Sequence, residues 1–221
     1  MRDNYLLCIW DFLVSFVLSI HNTMSKGERT RQFIIEQAAP IFNQKGIAGT
    51  TIDDILAATK MAKGGLYRHF ESKDEIATVM VEFLLDKLSA KIAGDMAKQQ
   101  TAQGKLFAFM DVYQHPLTSY IDGGCPVLNF GVEVDDTNPL LKQNMKQRIE
   151  DLQKTLTAII KQGIADQELA ADIDAAGFVL KTFAAMEGGM LVSRVTGSDK
   201  HMKNLIDMFK AELKSYVLTK K

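Results

Sequence analysis

The chain has 221 residues, room for one or two modest units with real cores, and it is 47% hydrophobic with only four prolines, as suits a mostly helical globular protein. A formal net charge of −1 excludes a generic polycation, so overall charge gives no support to nucleic-acid binding and any such reading must rest on placement. Only Cys8 and Cys125 are present, which excludes a disulfide framework and fits a reducing, cytoplasmic setting.

Residues 5–20, YLLCIWDFLVSFVLSI, form an apolar stretch interrupted by Asp11 and shorter than the roughly 20 residues that span a bilayer. Arg2 followed by Asp3 is no basic leader, and no small-residue cleavage site follows, so no membrane partner is expected. Residues 1–23 read as an apolar extension outside the working protein, as an upstream start codon wrongly assigned to the gene would produce. From Met24, MSKGERTRQ gives a short basic arm in which Lys26, Arg29 and Arg31 are placed to meet phosphates or the minor groove.

A first helix is predicted from 28 to 45, with Ile34, Ala38, Ile41 and Phe42 facing inward, Pro40 bending it and Gly46 ending it. Thr51 with Asp54 three residues on is a capping-box start for a second helix, whose apolar face is Ile52, Ile55 and Leu56. After Thr59, Lys60 and Met61 comes a third, short helix bearing Lys63, Gly64, Gly65, Tyr67, Arg68 and His69. Two glycines early in a helix cost roughly 1 kcal/mol each relative to alanine. They make sense where the backbone must closely approach another molecule, as when a helix-turn-helix lays its second helix into the DNA major groove. Ser72, with Glu75 at the third position, caps a fourth amphipathic helix running to about Ala93 on Ile76, Val79, Met80, Phe83, Leu84 and Leu88. Between Met24 and Glu75 eight basic side chains face seven acidic ones, but Lys63, Arg68, His69 and Lys73 gather on one short stretch.

The segment 51–70, TIDDILAATKMAKGGLYRHF, resembles the DNA-binding signature of the TetR/AcrR-type transcriptional regulators, one-component bacterial repressors. The likeness runs from about Glu28 to Lys87 and includes RTRQFIIEQAAPIFNQKG before it and ESKDE after it. Lys60 stands where many members carry glycine, Ala62 replaces a common serine, and Pro40 is atypical, so base preference does not transfer. The resemblance implies a helix-turn-helix domain over 28–88 that binds a double-stranded DNA operator. In it Lys63, Gly64, Gly65 and Arg68 approach the groove while Thr51, Tyr67, His69 and Lys73 hold phosphates.

Polar, Gln-rich residues 94–104 read as a linker, and a second helical unit follows over 105–218. Leu106, Phe109, Met110 and Tyr113 make one stripe before His115-Pro116 disturbs the helix. GGCP at 123–126 is a loop and helix start, with Pro126 in the favoured first turn. A turn at 135–139 precedes a long helix carrying Met145, Ile149, Leu152, Leu156 and Ile159, then a hinge-like connection at 163–172 and two final helices near 173–195 and 199–218. No useful strand alternation appears, so the fold class is all-α: an N-terminal three-helix helix-turn-helix domain plus a larger C-terminal helical domain for ligand binding and dimerisation. Small residues Gly177, Ala184, Ala185, Gly188 and Gly189 permit close helix approach. The stripe Met202, Leu205, Ile206, Phe209 and Leu213 wants a partner, and the resemblance implies that these last two helices build a homodimer.

No G-x-S-x-G, P-loop, GxGxxG or paired-cysteine motif is present, and His21, His69, His115 and His201 are scattered, so neither an enzyme nor a metal or cofactor site is expected. Candidate walls of a largely apolar ligand cavity are Phe109, Met110, Tyr113, Phe130, Phe178, Phe183 and Met186, with Cys125, Asn129, Glu133 and Glu187 as polar punctuation. Cys125 lies at a helix amino end, where the dipole can activate a thiol, or it packs as a small buried hydrophobe. The expected function is a cytoplasmic homodimeric repressor released from a palindromic operator by a largely apolar small molecule. The alternatives are a regulator sensing electrophiles or oxidants through Cys125, and a DNA-binding module without ligand response.

Overall fold

The computed structural model describes residues 24–218, and the expectations for residues 1–23 lie outside the described residues. Helix α1 (Lys26–Gly49) opens with a reciprocal cap: the Ser25 hydroxyl accepts from the Glu28 amide at 3.2 Å, and the Glu28 carboxylate accepts from the Ser25 amide at 2.7 Å. Pro40 lies inside α1, and the one residue with non-helical dihedrals there is Gly46 (φ 78°, ψ 172°). The left-handed φ is open to glycine at no steric cost, so the expected stop becomes a sharp break with a further turn beyond it.

Thr51 caps α2 (Ile52–Thr59) through the expected capping box, and Lys60 closes it in the left-handed conformation (φ 55°). A short turn leads to α3 (Lys63–Leu66), whose Leu66 is fully buried. Ser72 caps α4 (Lys73–Ala97), which is 25 residues long and carries Gly94 within it. The expected linker at 94–104 is therefore reduced to a few residues, because Ile92 and Met96 find buried positions that keep the helix going.

Thr101 caps α5 (Ala102–Asp111), and a 3-10 turn at Pro116–Thr118 follows where the sequence predicts that His115-Pro116 disturbs the chain. Pro126 starts α6 (Pro126–Val134), and Asn138 caps α7 (Pro139–Ala165). Gly163, expected in a hinge, stays helical: a Cβ there would lie 2.5 Å from the Ala102 Cβ, so the glycine lets α7 cross the start of α5 closely. Helices α8 (Ala175–Thr196) and α9 (Lys200–Ser215) complete the fold. Among the described residues there is no strand, only an isolated bridge between Leu169 and Val217.

One continuous hydrophobic cluster runs from Ile34 in α1 to Leu213 in α9. Helix α4 joins its two parts, packing on α1 and also on α5 and α6. Helix α8 is long and apolar enough to cross a membrane by length and composition, but 44% of that stretch is buried between its neighbours α7 and α9.

Candidate DNA interface and ligand cleft

The reading end is built on small helices locked from behind. Ile55, Leu66 and Phe70 bury their side chains against α1 and α4, which turns Lys63, Gly64, Tyr67 and Arg68 outward; Gly65, His69 and Lys73 are half-buried. A Cβ at Gly64 would meet nothing within 4 Å, so internal packing does not demand that glycine. At Gly65 the Met61 methyl would lie at 3.2 Å.

Two side chains expected to meet phosphates are engaged within the protein itself. The Thr51 hydroxyl is committed to its own helix, accepting from the Asp54 amide at 3.1 Å and donating to the Asp54 carboxylate at 2.9 Å. The Lys45 ammonium (2.6 Å), then the Thr51 backbone amide (2.9 Å) and the Thr51 hydroxyl, all donating to the Asp54 carboxylate, hold that carboxyl down at about 2. Arg31 is likewise engaged: it pairs with Glu75 at 3.1 Å, donates to the His69 carbonyl at 3.4 Å and lies 4.7 Å above the Phe70 ring. It therefore fastens the end of the reading segment to α1, a role for which no local sequence pattern gives a signal.

A cleft of about 310 Å³ lies between α4, α7 and α8. Of the expected wall residues, Tyr113 and Phe183 line it. Phe109, Met110, Phe130 and Met186 are instead interior core, and Phe178 packs edge-on against Phe209 (centroids 6.2 Å apart, planes at 84°). The wall is supplied mostly by residues not expected there: Leu85, Leu88, Ser89, Ile92, Ala93 and Met96 from α4, and Arg148, Ile149, Asp151, Leu152 and Thr155 from α7. The apolar stripe of α7 is visible in the sequence, but assigning α4 to the DNA-binding unit hides the role of its far half. At the rim Arg148 pairs with Asp86 at 2.7 Å.

Behind Tyr113 the structure brings three titratable groups together. The Tyr113 hydroxyl and the Cys125 thiol both donate to Oε1 of Glu187 at 3.3 Å, while its Oε2 is buried with no hydrogen-bond partner. Burial pushes the Glu187 carboxyl up to about 7 against the lowering effect of those two donors. Burial, then the neighbouring carboxylate, hold the Cys125 thiol well above its ordinary 9, and the backbone amides of Leu128 and Val127 do not offset this. Cys125 is 3% exposed. Of the two readings of Cys125, the geometry favours the small buried hydrophobe over the activated thiol: the helix end is present, but the thiol is buried against a carboxyl group rather than set in an electropositive site.

Asn129 and Glu133 do not face the cleft either. Both reach from α6 to the end of α1, where Asn129 Nδ2 donates to the Asn43 carbonyl at 2.9 Å and the Glu133 carboxylate accepts from the amides of Ile47 and Ala48 at 2.7 and 2.6 Å.

On the outer side of α8 and α9 the apolar residues Leu180, Leu191, Val192, Val195 and Met208 are exposed. The stripe expected to seek a partner is largely internal, with Met202, Ile206 and Leu213 buried in the protomer. A hollow lined by Gly188, Val192, Leu205 and Met208 opens between the two helices.

Residues 34–80 match the family described as bacterial regulatory proteins, tetR family, and residues 102–209 match the tetracyclin repressor-like C-terminal domain. The chain is similar to a TetR transcriptional regulator from Chloroflexus aurantiacus J-10-FL (34% identity, TM-score 0.83, covering 88% of this chain and 98% of that one). It is also similar to a TetR-family regulator from Cytophaga hutchinsonii (31% identity, TM-score 0.80, 89% and 99% covered). The HTH-type transcriptional repressor DhaR of Mycobacterium sp. (strain GP1) shares 25% identity over 170 residues, 75% of this chain and 82% of the relative. The chain therefore belongs to the TetR family of transcriptional regulators: it is a DNA-binding regulator and not an enzyme.

Proposed function

We propose that this protein is a homodimeric repressor that leaves a palindromic operator when a small, largely apolar molecule enters the cleft between α4, α7 and α8. The observation that carries the reading is the double duty of α4. Its first half supplies Ile76, Met80 and Val81 to the core shared with α1, and its second half supplies the cleft wall from Leu85 to Met96. A molecule wedged in the cleft acts on the same rigid rod that seats the reading head, and such coupling is typically worth about 1–3 kcal/mol.

At the DNA, Lys63, Gly64, Gly65 and Arg68 approach the groove, and Tyr67, His69 and Lys73 meet phosphates. The open space around Gly64 and the exposure of Lys63, Tyr67 and Arg68 support this assignment. Dimerisation, usual in the family, places two heads at the spacing a palindrome demands. The exposed face of α8 and α9 suits the contact with a second copy, and a cytoplasmic location accords with the family.

The test is a thermal-shift screen of small apolar and amphipathic compounds, followed by operator release. Compounds that raise the melting temperature should also weaken operator binding, and Ala93→Phe, which fills the cleft, should abolish both effects. Stabilising ligands that leave DNA affinity untouched would refute the mechanism.

A further inference from the structure

Helix α6 inserts two side chains into a broken turn of α1. In an unbroken helix the Ile47 amide would donate to the Asn43 carbonyl, four residues back. The left-handed Gly46 interrupts that pattern. Both ends of the interrupted bond are taken up from the regulatory domain: Asn129 Nδ2 donates to the Asn43 carbonyl at 2.9 Å, and Glu133 Oε2 accepts from the Ile47 amide at 2.7 Å. Glu133 Oε1 accepts from the next amide, Ala48, at 2.6 Å. Asn43 binds in return, its side-chain amide donating to the carbonyls of Asp122 and Gly124 at 2.8 and 3.0 Å in the loop that leads into α6. The fit is close on both sides: a Cβ on Gly46 would stand 2.8 Å from Glu133 Oε2, and one on Gly123 2.9 Å from the Asn43 carbonyl oxygen.

The repaired turn leads directly into the reading head. The Lys45 ammonium binds Asp54 in the first turn of α2 at 2.6 Å, and the Thr50 hydroxyl donates to the Gly46 carbonyl at 2.7 Å. At the other end of α6, Val127 forms part of the cleft wall. Nine residues of helix make a rod only about 13 Å long, which tilts as a unit. Asn129 and Glu133 are one turn apart on it and point the same way.

We infer that Glu133, with Asn129, is a positioning residue for DNA recognition: from the regulatory domain it sets the angle at which α1 delivers the helix-turn-helix, and α6 thereby gives the cleft a route to the reading head separate from α4. The inference rests on the repressor reading above. Charge-assisted bonds of a carboxylate to two adjacent backbone amides are short and directional, so a displacement of α6 moves the α1 end rather than slipping past it. Because a carboxylate only accepts, a carboxamide in its place sets an N–H group against one of the two amides.

The experiment uses the full chain and a DNA duplex enriched by the wild-type protein from a random-sequence library. Affinity for that duplex is measured at 20 °C, where circular dichroism shows each variant folded, together with hydrogen exchange at the Ile47 and Ala48 amides. Glu133→Gln and Glu133→Ala are expected to weaken binding at least tenfold and to speed exchange at those two amides. Gly46→Ala, which strains the same junction from the opposite side, is expected to do likewise. A merely structural role would lower the melting temperature and leave affinity at 20 °C within twofold of wild type, and that result would overturn the inference. Should Glu133→Ala fail to fold, Glu133→Gln and Gly46→Ala decide between the same two outcomes. A wild-type protein that enriches no duplex would instead sink the proposed function itself.

Discussion

Gly188 and Gly189 are adjacent on α8, yet their missing side chains serve different neighbours. A Cβ on Gly189 would lie 2.7 Å from Leu205 Cδ1 of the same protomer, whereas one on Gly188 would meet nothing within 4 Å. Helix-interior glycine costs roughly 1 kcal/mol against alanine, so Gly188 finds no justification inside the protomer. It lies on the face that exposes Leu191, Val192, Val195 and Met208. Gly188→Phe is therefore expected to give folded monomers by sedimentation velocity. Gly189→Ala is expected to lower thermal stability by crowding Leu205. A dimer that survives Gly188→Phe unchanged places the interface elsewhere.

Lys63→Ala combined with Tyr67→Ala should weaken operator binding about 100-fold while dimer and helix content persist, since a side chain that touches the duplex directly contributes about 1–3 kcal/mol. Both side chains project to solvent from a short helix anchored by the buried Leu66, so neither change reaches the core. Lys63→Ala alone should also reduce the slope of log affinity against log salt by about 1. A double variant that protects the same palindrome in footprinting would remove α3 from the reading role.

Cys125 should react slowly with iodoacetamide in the native protein and rapidly once unfolded, because its thiol is buried and held protonated beside Glu187. Cys125→Ser keeps a donor for Glu187 and should leave operator binding intact. Fast native labelling at pH 7, together with abolished DNA binding, would restore the sensor reading.

Glu187 ties stability to pH with a definite sign. Its folded pKa is raised from 4.5 to about 7, so its contribution is fully present below about 4.5 and is lost as pH rises through about 7. At about 1.36 kcal/mol per pH unit, the raised value corresponds to a change on the order of 3 kcal/mol across that window. Urea unfolding at pH 5 and pH 8 should show the decline in wild type, and Glu187→Gln should flatten it. An equal decline in both proteins would assign the effect to other groups.

Much of the architecture is legible in local chemistry. Capping at Thr51 and Ser72, proline at the start of α6 and the apolar stripe of α7 each depend on neighbours within a turn or two, where sequence reading works best. Helix α3 stands out in the sequence for the same reason, since Gly64, Gly65 and the basic groups around them conflict with an ordinary buried or solvated helix. What escapes are pairings across long separations. Arg31 looks like a phosphate ligand until Glu75 and Phe70 fold against it, and Asn129 and Glu133 look like cavity groups until Gly46 breaks α1 in front of them. Gly94 and Gly163 read as breaks because glycine weakens helices, whereas tertiary packing carries α4 and α7 through both.

The continuity of α4 bears on how freely such a protein can exchange parts. Its 25 residues make a rod of about 37 Å whose apolar positions, from Ile76 to Met96, belong to a single cluster without a seam. A reading head cut away near Leu88 would carry off Leu84 and Leu85 stripped of their cover, and the remainder would keep a cleft whose α4 wall had lost Leu85. The head is thus not a cassette that can be swapped at a linker. A chimaera that changes operator specificity must be spliced on the outer faces of α2 and α3, with α1 and the whole of α4 kept together as chassis.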